Sequence, residues 1–391
     1  MIANYILKKH SSPISICVLV ASWAIMEWAN SNWDLSNTWV NLHYALCDYP
    51  YLLGFIRYTG FRFASPFILL INIAMYLTFF HRQRLAGFSP WYKGAFWSIT
   101  ILFILLDVVV QLQKNTLKQQ AKIAIVQPNF DPYQIVDSVA SKDRFRHLLD
   151  LTGQLSKENA QLICWPETAL RGSQIDISTL PTDTTIIALK KLSHQIKAPI
   201  LLGTFLFKVY DYKPSNYTAA PTGDGRYYDV TNSAMLVTPS GALDIYHKIK
   251  LVPFIERLPF IKYLSGNSSH LFQLGEQFPS YEKGKKNNLL ETSELSIVPV
   301  ICNESVYPDH VKRFAIKNAD VIIILSNDGW AGNSSLATLH AAYAKILAIE
   351  NNKYVVRATN NGVSMVISPQ GIIEASTEYG TSTVMTATIK F

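Results

Sequence analysis

The chain has 391 residues, 49% of them hydrophobic and only 16% charged, with a formal net charge of +7 and four Cys. A charged share well below the roughly 25% of ordinary globular domains excludes disorder, and the length allows a core without disulfide staples. Lys and Arg are spread over short loops with no basic aromatic face, which sets nucleic acid aside as a partner. Cys17, Cys47, Cys164 and Cys302 form no CxxC pair or Cys/His cluster, so no metal site, disulfide framework or cofactor is indicated.

Long uncharged runs lie almost entirely before about residue 113. Ile14–Trp28, Ala64–Phe80 and Gly94–Val110 approach the roughly 17 to 25 residues that cross a bilayer, and three such runs so close together are unusual in a soluble domain. Glu27 and Asp107 lie near the ends of their runs, where a carboxylate reaches the headgroup region at lower cost than at the centre. No small-x-small cleavage site follows the first run, which reads as a retained anchor. Lys8, Lys9 and His10 precede it, and His81, Arg82, Arg84 and Lys93 fill the turn between the second and third. The positive-inside bias puts both on the inner face. The Trp- and Tyr-rich loop from about 30 to 63, and everything after Val110, then fall outside. Residues 1–113 are expected to be a short α-helical transmembrane region of about three transmembrane helices, followed by a linker over 114–121.

From residue 122 to 391 short apolar runs alternate with amphipathic stretches, the pattern of an α/β domain. Strands are expected at Lys122–Gln127, Gln161–Trp165, Pro199–Thr204, Ser233–Thr238, Leu295–Ile301, Val321–Ser326, Val355–Ala358 and Ser364–Ser368. Helices fit Gln134–Leu155, Thr185–Gln195, Asp309–Lys317 and Ser334–Asn351. VTPSG at 237 to 241 and ISPQG at 367 to 371 look like one device used twice, a strand closed by a Pro-Gly hairpin turn. The stretch Lys283–Asn288 reads as an exposed loop.

Three reactive side chains fall at strand ends, where α/β folds place their sites. Glu167 in LICWPETAL follows a buried strand and Trp-Pro, a setting in which a partly desolvated carboxylate is tuned as a general base. Lys248 in DIYHKIKLVPFIERLP leaves a strand for a loop containing Glu256. Cys302 in SIVPVICNESVYPDH ends an apolar strand just before a helix starting near Tyr307 or Pro308, and helix N-termini and nearby cations favour a thiolate. Read singly, each has an ordinary alternative: a surface acid, a solvated Lys, a small buried Cys. Trp330 in SNDGW shapes a pocket or anchors a capped turn. His340 and Glu350 read as polar core partners on one helix, and Asn360-Asn361-Gly362 as a tight turn using positive φ.

Taken together, the blocks IAIVQPN, CWPET, YHK followed by LVPFIERLP, ICNES, ILSNDGW and VVRATNNGVSMVISPQG resemble, in order and spacing, the apolipoprotein N-acyltransferases, the membrane branch of the nitrilase superfamily. WVNLHYAL with the following Tyr-Thr-Gly is similar to that family's membrane half, which by this resemblance is expected to be a shortened one. The resemblance implies a nitrilase-like α-β-β-α sandwich as catalytic domain and a Glu-Lys-Cys triad on Glu167, Lys248 and Cys302. It places two supporting acids on Glu256 and Glu304. Where the family usually has Tyr after the nucleophile, this chain has Asn303, and Tyr133 is the nearest aromatic to a Trp expected after the first strand.

Such a triad runs a two-step acyl transfer. Glu167 takes the thiol proton, Cys302 attacks an ester carbonyl, Lys248 and the backbone N–H of Asn303 stabilise the oxyanion, and an amine then attacks the thioester. By resemblance the acyl donor is a membrane phospholipid and the acceptor is the α-amino group of a diacylglyceryl-cysteine apolipoprotein. The setting implied is the bacterial inner membrane, with the catalytic domain on the outer face and Trp330 near an acyl chain. Two alternatives stay open from the residues alone: a membrane-tethered amidase or acyltransferase for another amine, and an inactive scaffold.

Overall fold

The three apolar runs fold as helices α1 (Pro13–Asn30), α2 (Ala64–Phe80) and α3 (Pro90–Leu112). The computed structural model describes residues 13–80, 90–112, 119–134, 136–215, 218–264, 280–315 and 318–391. The positive clusters Lys8 to His10 and His81 to Arg84, on which membrane orientation was argued, lie outside the described residues. Among the described residues no helix is long and apolar enough to cross a membrane. The two acids of these runs have hydrogen-bond partners in the structure. Glu27 accepts hydrogen bonds from the Leu42 N–H at 2.7 Å and the Trp23 indole at 3.0 Å, and Asp107 accepts from the Phe55 N–H at 2.8 Å. Each carboxylate thus satisfies backbone of the aromatic loop, which a helix-poor segment cannot do for itself. Phe55, Phe67 and Phe103 pack with ring centroids 4.6 to 5.0 Å apart.

The chain divides into two compact units, Met1–Lys114 with Ile349–Asn352, and Asn115–Ala348 with Lys353–Phe391. The second unit begins with β1 (Gln120–Gln127), then α4 (Ser138–Gly153), β2 (Leu162–Cys164), β3 (Ile175–Asp176), α5 (Thr184–Ile196), β4 (Ile200–Tyr210), β5 (Ala220–Pro221), β6 (Tyr227–Val237) and β7 (Leu243–His247). It continues with β8 (Leu290–Glu291), β9 (Ser296–Ile301), α6 (Pro308–Ala315), β10 (Val321–Ser326), α7 (Ser335–Asn351, in this unit as far as Ala348), β11 (Tyr354–Thr359), β12 (Met365–Ile367), β13 (Ile373–Ser376) and β14 (Thr383–Lys390).

Two sheets result. The first runs β14-β1-β2-β4-β6-β5, with β3 beside β4 and β7 beside β6, and the second runs β13-β12-β11-β10-β9-β8. At the heart of each, three strands are parallel: β1, β2 and β4 in one, β9, β10 and β11 in the other. Strand alternation then sorts the side chains. Ile123 and Ile125 of β1 join a core shared with Ile297, Val300 and Ile323 of the opposite sheet, while Ala124 and Val126 face Leu148 of α4 and Ile186 of α5. Helices α6 and α7 bury Phe314, Ala344 and Leu347 in the shared core cluster. The expected α-β-β-α layering is realised.

Boundaries move for identifiable reasons. The helix expected from Gln134 starts at Ser138, because Asp137 caps it by accepting from Val139 N–H at 3.0 Å and Ala140 N–H at 2.8 Å. The repeated Pro-Gly device holds: Gly241 and Gly371 have φ of 83° and 80° and close the β6–β7 and β12–β13 hairpins. Strand β14 was not anticipated. It pairs antiparallel with the whole of β1 from Gln120↔Lys390 to Gln127↔Thr383.

Candidate active site

The three reactive positions each follow a strand end. Glu167 comes after β2, and its main chain presses so closely on β4 that a Cβ on Gly203 would lie 2.5 Å from the Glu167 Cα. Glycine is required there for steric reasons. Lys248 directly follows β7; its N–H donates to the Asn232 carbonyl at 2.8 Å, and its own carbonyl accepts from the Gly284 N–H at 2.8 Å. A Cβ on Gly284 would come 2.0 Å from the His247 carbonyl oxygen. The stretch Lys283–Asn288 is therefore not simply an exposed loop: Lys283, Lys285 and Lys286 are exposed, but Gly284 pins the lysine segment. Cys302 follows β9 with φ +47°, a left-handed conformation that costs a residue with a side chain about 1–3 kcal/mol.

Four side chains converge at this point. Lys248 Nζ lies 3.2 Å from Glu167 Oε1 and 2.8 Å from Glu256 Oε1. The Asn232 side-chain nitrogen donates to the same two oxygens at 2.8 and 3.0 Å, and Glu256 Oε2 accepts from the Val252 N–H at 2.8 Å. Exposures of 5% for Glu167, 1% for Lys248, 7% for Glu256 and 1% for Asn232 make this a buried cluster. Charges so enclosed are tolerated only when paired and hydrogen-bonded, as here.

The electrostatics assign the resting protonation states. Burial works against the Lys248 ammonium, but Glu167 and Glu256, with a smaller contribution from Cys302, outweigh it and hold its pKa well above the ordinary value. Desolvation and then the negative charge of Glu167 push the Cys302 thiol well up, against the opposing pull of Lys248 and a hydrogen bond with Ser326. Both shifts favour an ammonium on Lys248 and a protonated thiol on Cys302. Transfer of the thiol proton to a Glu167 carboxylate would leave the total charge of the cluster unchanged while creating a thiolate beside an ammonium, which is the chemistry this arrangement can support. Cys164, fully buried with no charged neighbour shifting it, is pushed up by burial alone and has no such device.

Glu304 does not join that cluster. Its Oε1 accepts from Ile249 N–H at 2.7 Å, Lys250 N–H at 3.0 Å and the Tyr246 hydroxyl at 2.7 Å, while Oε2 accepts from Ile301 N–H at 2.9 Å. It ties the residues just after Lys248 to the residue just before Cys302. Burial opposes its charge, yet His310 at 3.2 Å and these backbone donors keep its pKa below the usual carboxylate value. Asn303 is buried beside Cys302. Trp330 is 50% exposed, with Tyr133 edge-on at 5.5 Å and the Arg171 guanidinium 5.2 Å over its ring.

Residues 122–391 match the carbon-nitrogen hydrolase family. The chain belongs to this family. It is 26% identical over 398 residues to the apolipoprotein N-acyltransferase of Chlorobaculum tepidum, covering 98% of this chain and 73% of that relative. Over 400 residues it is 27% identical to apolipoprotein N-acyltransferase 1 of Treponema denticola, covering 94% of this chain and 70% of the relative. A solved carbon-nitrogen hydrolase superfamily protein of Xanthomonas campestris, 20% identical, covers 70% of this chain and 91% of its own with a TM-score of 0.47.

Sequence reasoning passes over one member of this buried cluster, Asn232. The available signal was a lone amide inside the otherwise strand-like run YDVTNSAMLV, where burial demands a partner. The Asn360-Asn361-Gly362 turn also works differently from expectation, since none of the three has positive φ. Asn360 instead exchanges hydrogen bonds with Phe130 at 2.8 and 2.7 Å. Gly362 provides space, because a Cβ there would lie 2.1 Å from Asp328 Oδ2.

Proposed function

We propose that this carbon-nitrogen hydrolase family member transfers a fatty acyl chain from a membrane phospholipid, through a thioester on Cys302, to the α-amino group of a diacylglyceryl-cysteine apolipoprotein. The observation that carries this reading is the extent of the similarity: it reaches 98% of the chain, well beyond residues 122–391, and the relatives so matched are apolipoprotein N-acyltransferases.

The buried cluster suits the chemistry. Glu167 accepts the Cys302 proton as sulfur attacks the ester carbonyl, and Lys248 faces the developing oxyanion together with the Asn303 N–H. On collapse the C–O bond breaks, and Glu167 returns the proton to the departing lysophospholipid oxygen. In the second half the amine nitrogen attacks the thioester, Glu167 takes a proton from it, and the C–S bond breaks as sulfur is reprotonated. Glu256 keeps Lys248 in place, and Trp330 contacts an acyl chain. Exposed Ile101, Leu102, Ile104, Leu105, Val108 and Val109 on α3 support membrane embedding of the first unit. The site of action is then the bacterial inner membrane, with the catalytic domain on the outer face.

Intact-mass spectrometry after incubation with phosphatidylethanolamine vesicles tests the first half. The wild type gains a hydroxylamine-labile fatty-acyl mass, and Cys302→Ala gains none. No adduct on folded, vesicle-associated wild type defeats phospholipid-dependent acylation.

A further inference from the structure

A second buried polar chain approaches the nucleophile from α7, and the acyl-transfer reading leaves it without a role. Arg357 of β11 places its Nη2 2.8 and 2.6 Å from the two carboxylate oxygens of Asp328, and its Nη1 donates to the Val363 carbonyl at 2.9 Å. Asp328 Oδ1 also accepts from the Ser326 hydroxyl at 3.0 Å and lies 2.9 Å from His340 Nδ1. Desolvation opposes the Asp328 charge, but Arg357 and His340 outweigh it and hold this carboxyl well below its ordinary range. An ionised carboxylate only accepts, so His340 Nδ1 carries the donating proton. The other ring nitrogen, Nε2, then faces away from Asp328. Ser305 donates its one hydroxyl hydrogen to the Cys302 carbonyl oxygen at 2.8 Å, so its oxygen accepts from Nε2 at 2.9 Å, and Nε2 also lies 3.3 Å from that carbonyl oxygen. With both ring nitrogens donating, the ring is the imidazolium, paired with Asp328.

The Cys302 carbonyl belongs to the planar trans peptide that also contains the Asn303 N–H, so fixing one end of that plane aims the other in the opposite direction. It also limits rotation at a residue already held at φ +47°. We propose that His340, anchored by Asp328 and Arg357 and acting with Ser305, is a positioning residue: it holds the 302–303 peptide so that the Cys302 sulfur and the Asn303 N–H meet the substrate carbonyl in register. The inference rests on the reading of Cys302 as nucleophile. Every member of the chain is at most 5% exposed, so its hydrogen bonds compete little with water. Arg357 donates to both Asp328 oxygens, which clamps the anchor itself.

The test is the pre-steady-state burst of p-nitrophenol from p-nitrophenyl butyrate with full-length protein, followed at Cys302 by mass spectrometry. Substituting His340→Leu lowers the burst rate constant by about 10- to 100-fold, the scale on which small misplacements act, with the half-saturating ester concentration unchanged. His340→Gln, whose amide nitrogen reaches about as far as Nε2, recovers most of the rate. A His340→Leu protein with a wild-type circular dichroism spectrum and a wild-type burst overturns the proposal, as does a Gln variant as slow as the Leu variant. If His340→Leu does not fold, Ser305→Ala decides: it slows the burst at unchanged half-saturation, and an undiminished burst overturns the proposal. A wild type with no Cys302-dependent burst removes the nucleophile reading and this inference with it, whereas a normal wild-type burst with indifferent variants removes this inference alone.

Discussion

Asn232 donates its side-chain amide to Glu167 Oε1 across 2.8 Å, and the same nitrogen reaches Glu256 Oε1 at 3.0 Å. A single amide thus spans the two carboxylates that flank Lys248. Replacing it with the similarly sized Leu removes the donor and leaves the ammonium alone between two acids. The bond to Glu167 is the one that bears on proton transfer, and the loss of one hydrogen bond to a charged group, about 1.5–3 kcal/mol, predicts a fall in Cys302 acylation of about 10- to 100-fold. Burst kinetics with an activated ester, alongside a thermal melt to confirm folding, measure it.

The thiol of Cys302 is held up by desolvation and then by the charge of Glu167. In the wild type, iodoacetamide labelling of Cys302 therefore keeps accelerating above about pH 8.5, where an ordinary thiol would level off. Glu167→Gln removes the negative charge while leaving Lys248 in place. The thiol pKa falls, and labelling at pH 8 becomes faster even as acylation by ester becomes slower. A variant in which both rates drop together would contradict the assignment of Glu167 as the base.

Gly284 has no room for a side chain, since its Cβ would sit 2.0 Å from the His247 carbonyl oxygen. Gly284→Ala must displace the segment that fixes the Lys248 backbone. The expected result is acylation reduced by about 100-fold, as for other small misplacements of catalytic groups, in a protein that still folds. Lys285→Ala, on the exposed neighbour, leaves the rate unchanged.

Glu304 is fully buried, and its pKa lies below the ordinary carboxylate value. A depressed carboxyl contributes stability that is present above the unfolded-state pKa and lost as pH falls through the folded one. Glu304→Gln is therefore expected to lose about 3 kcal/mol at pH 7, because an amide cannot accept from all four converging donors. The gap to wild type narrows as pH falls below about 4.3. Thermal melts at pH 7, 5 and 4 check both the size and the sign.

Much of the catalytic domain was legible in the sequence, because its parallel strands are buried runs such as VIIILS and its helices begin at strong caps such as Asp137 and Asp183. Strand β14 was hidden by its burial pattern: most of its residues are half-buried, so it shows no clean alternation, and its partner β1 lies at the far end of the domain sequence. Glu167, Lys248 and Glu256 stood out by their blocks, and the structure brings them together. Asn232 and His340 did not, since a buried amide or imidazole acquires meaning only from the groups it faces. Glu304 was recognised as an accompanying acid, but its part in joining the Lys248 and Cys302 segments depends on backbone donors no sequence pattern displays.

The most direct measurement of acyl transfer follows the second half-reaction. Wild-type protein carrying a Cys302 acyl adduct is mixed with a synthetic diacylglyceryl-cysteine lipopeptide bearing a free α-amine, and both species are weighed over time. Loss of the acyl mass from Cys302 at the rate at which an N-acylated lipopeptide appears is the predicted result. Release of free fatty acid at one rate, with or without the lipopeptide, would contradict it and identify a hydrolase.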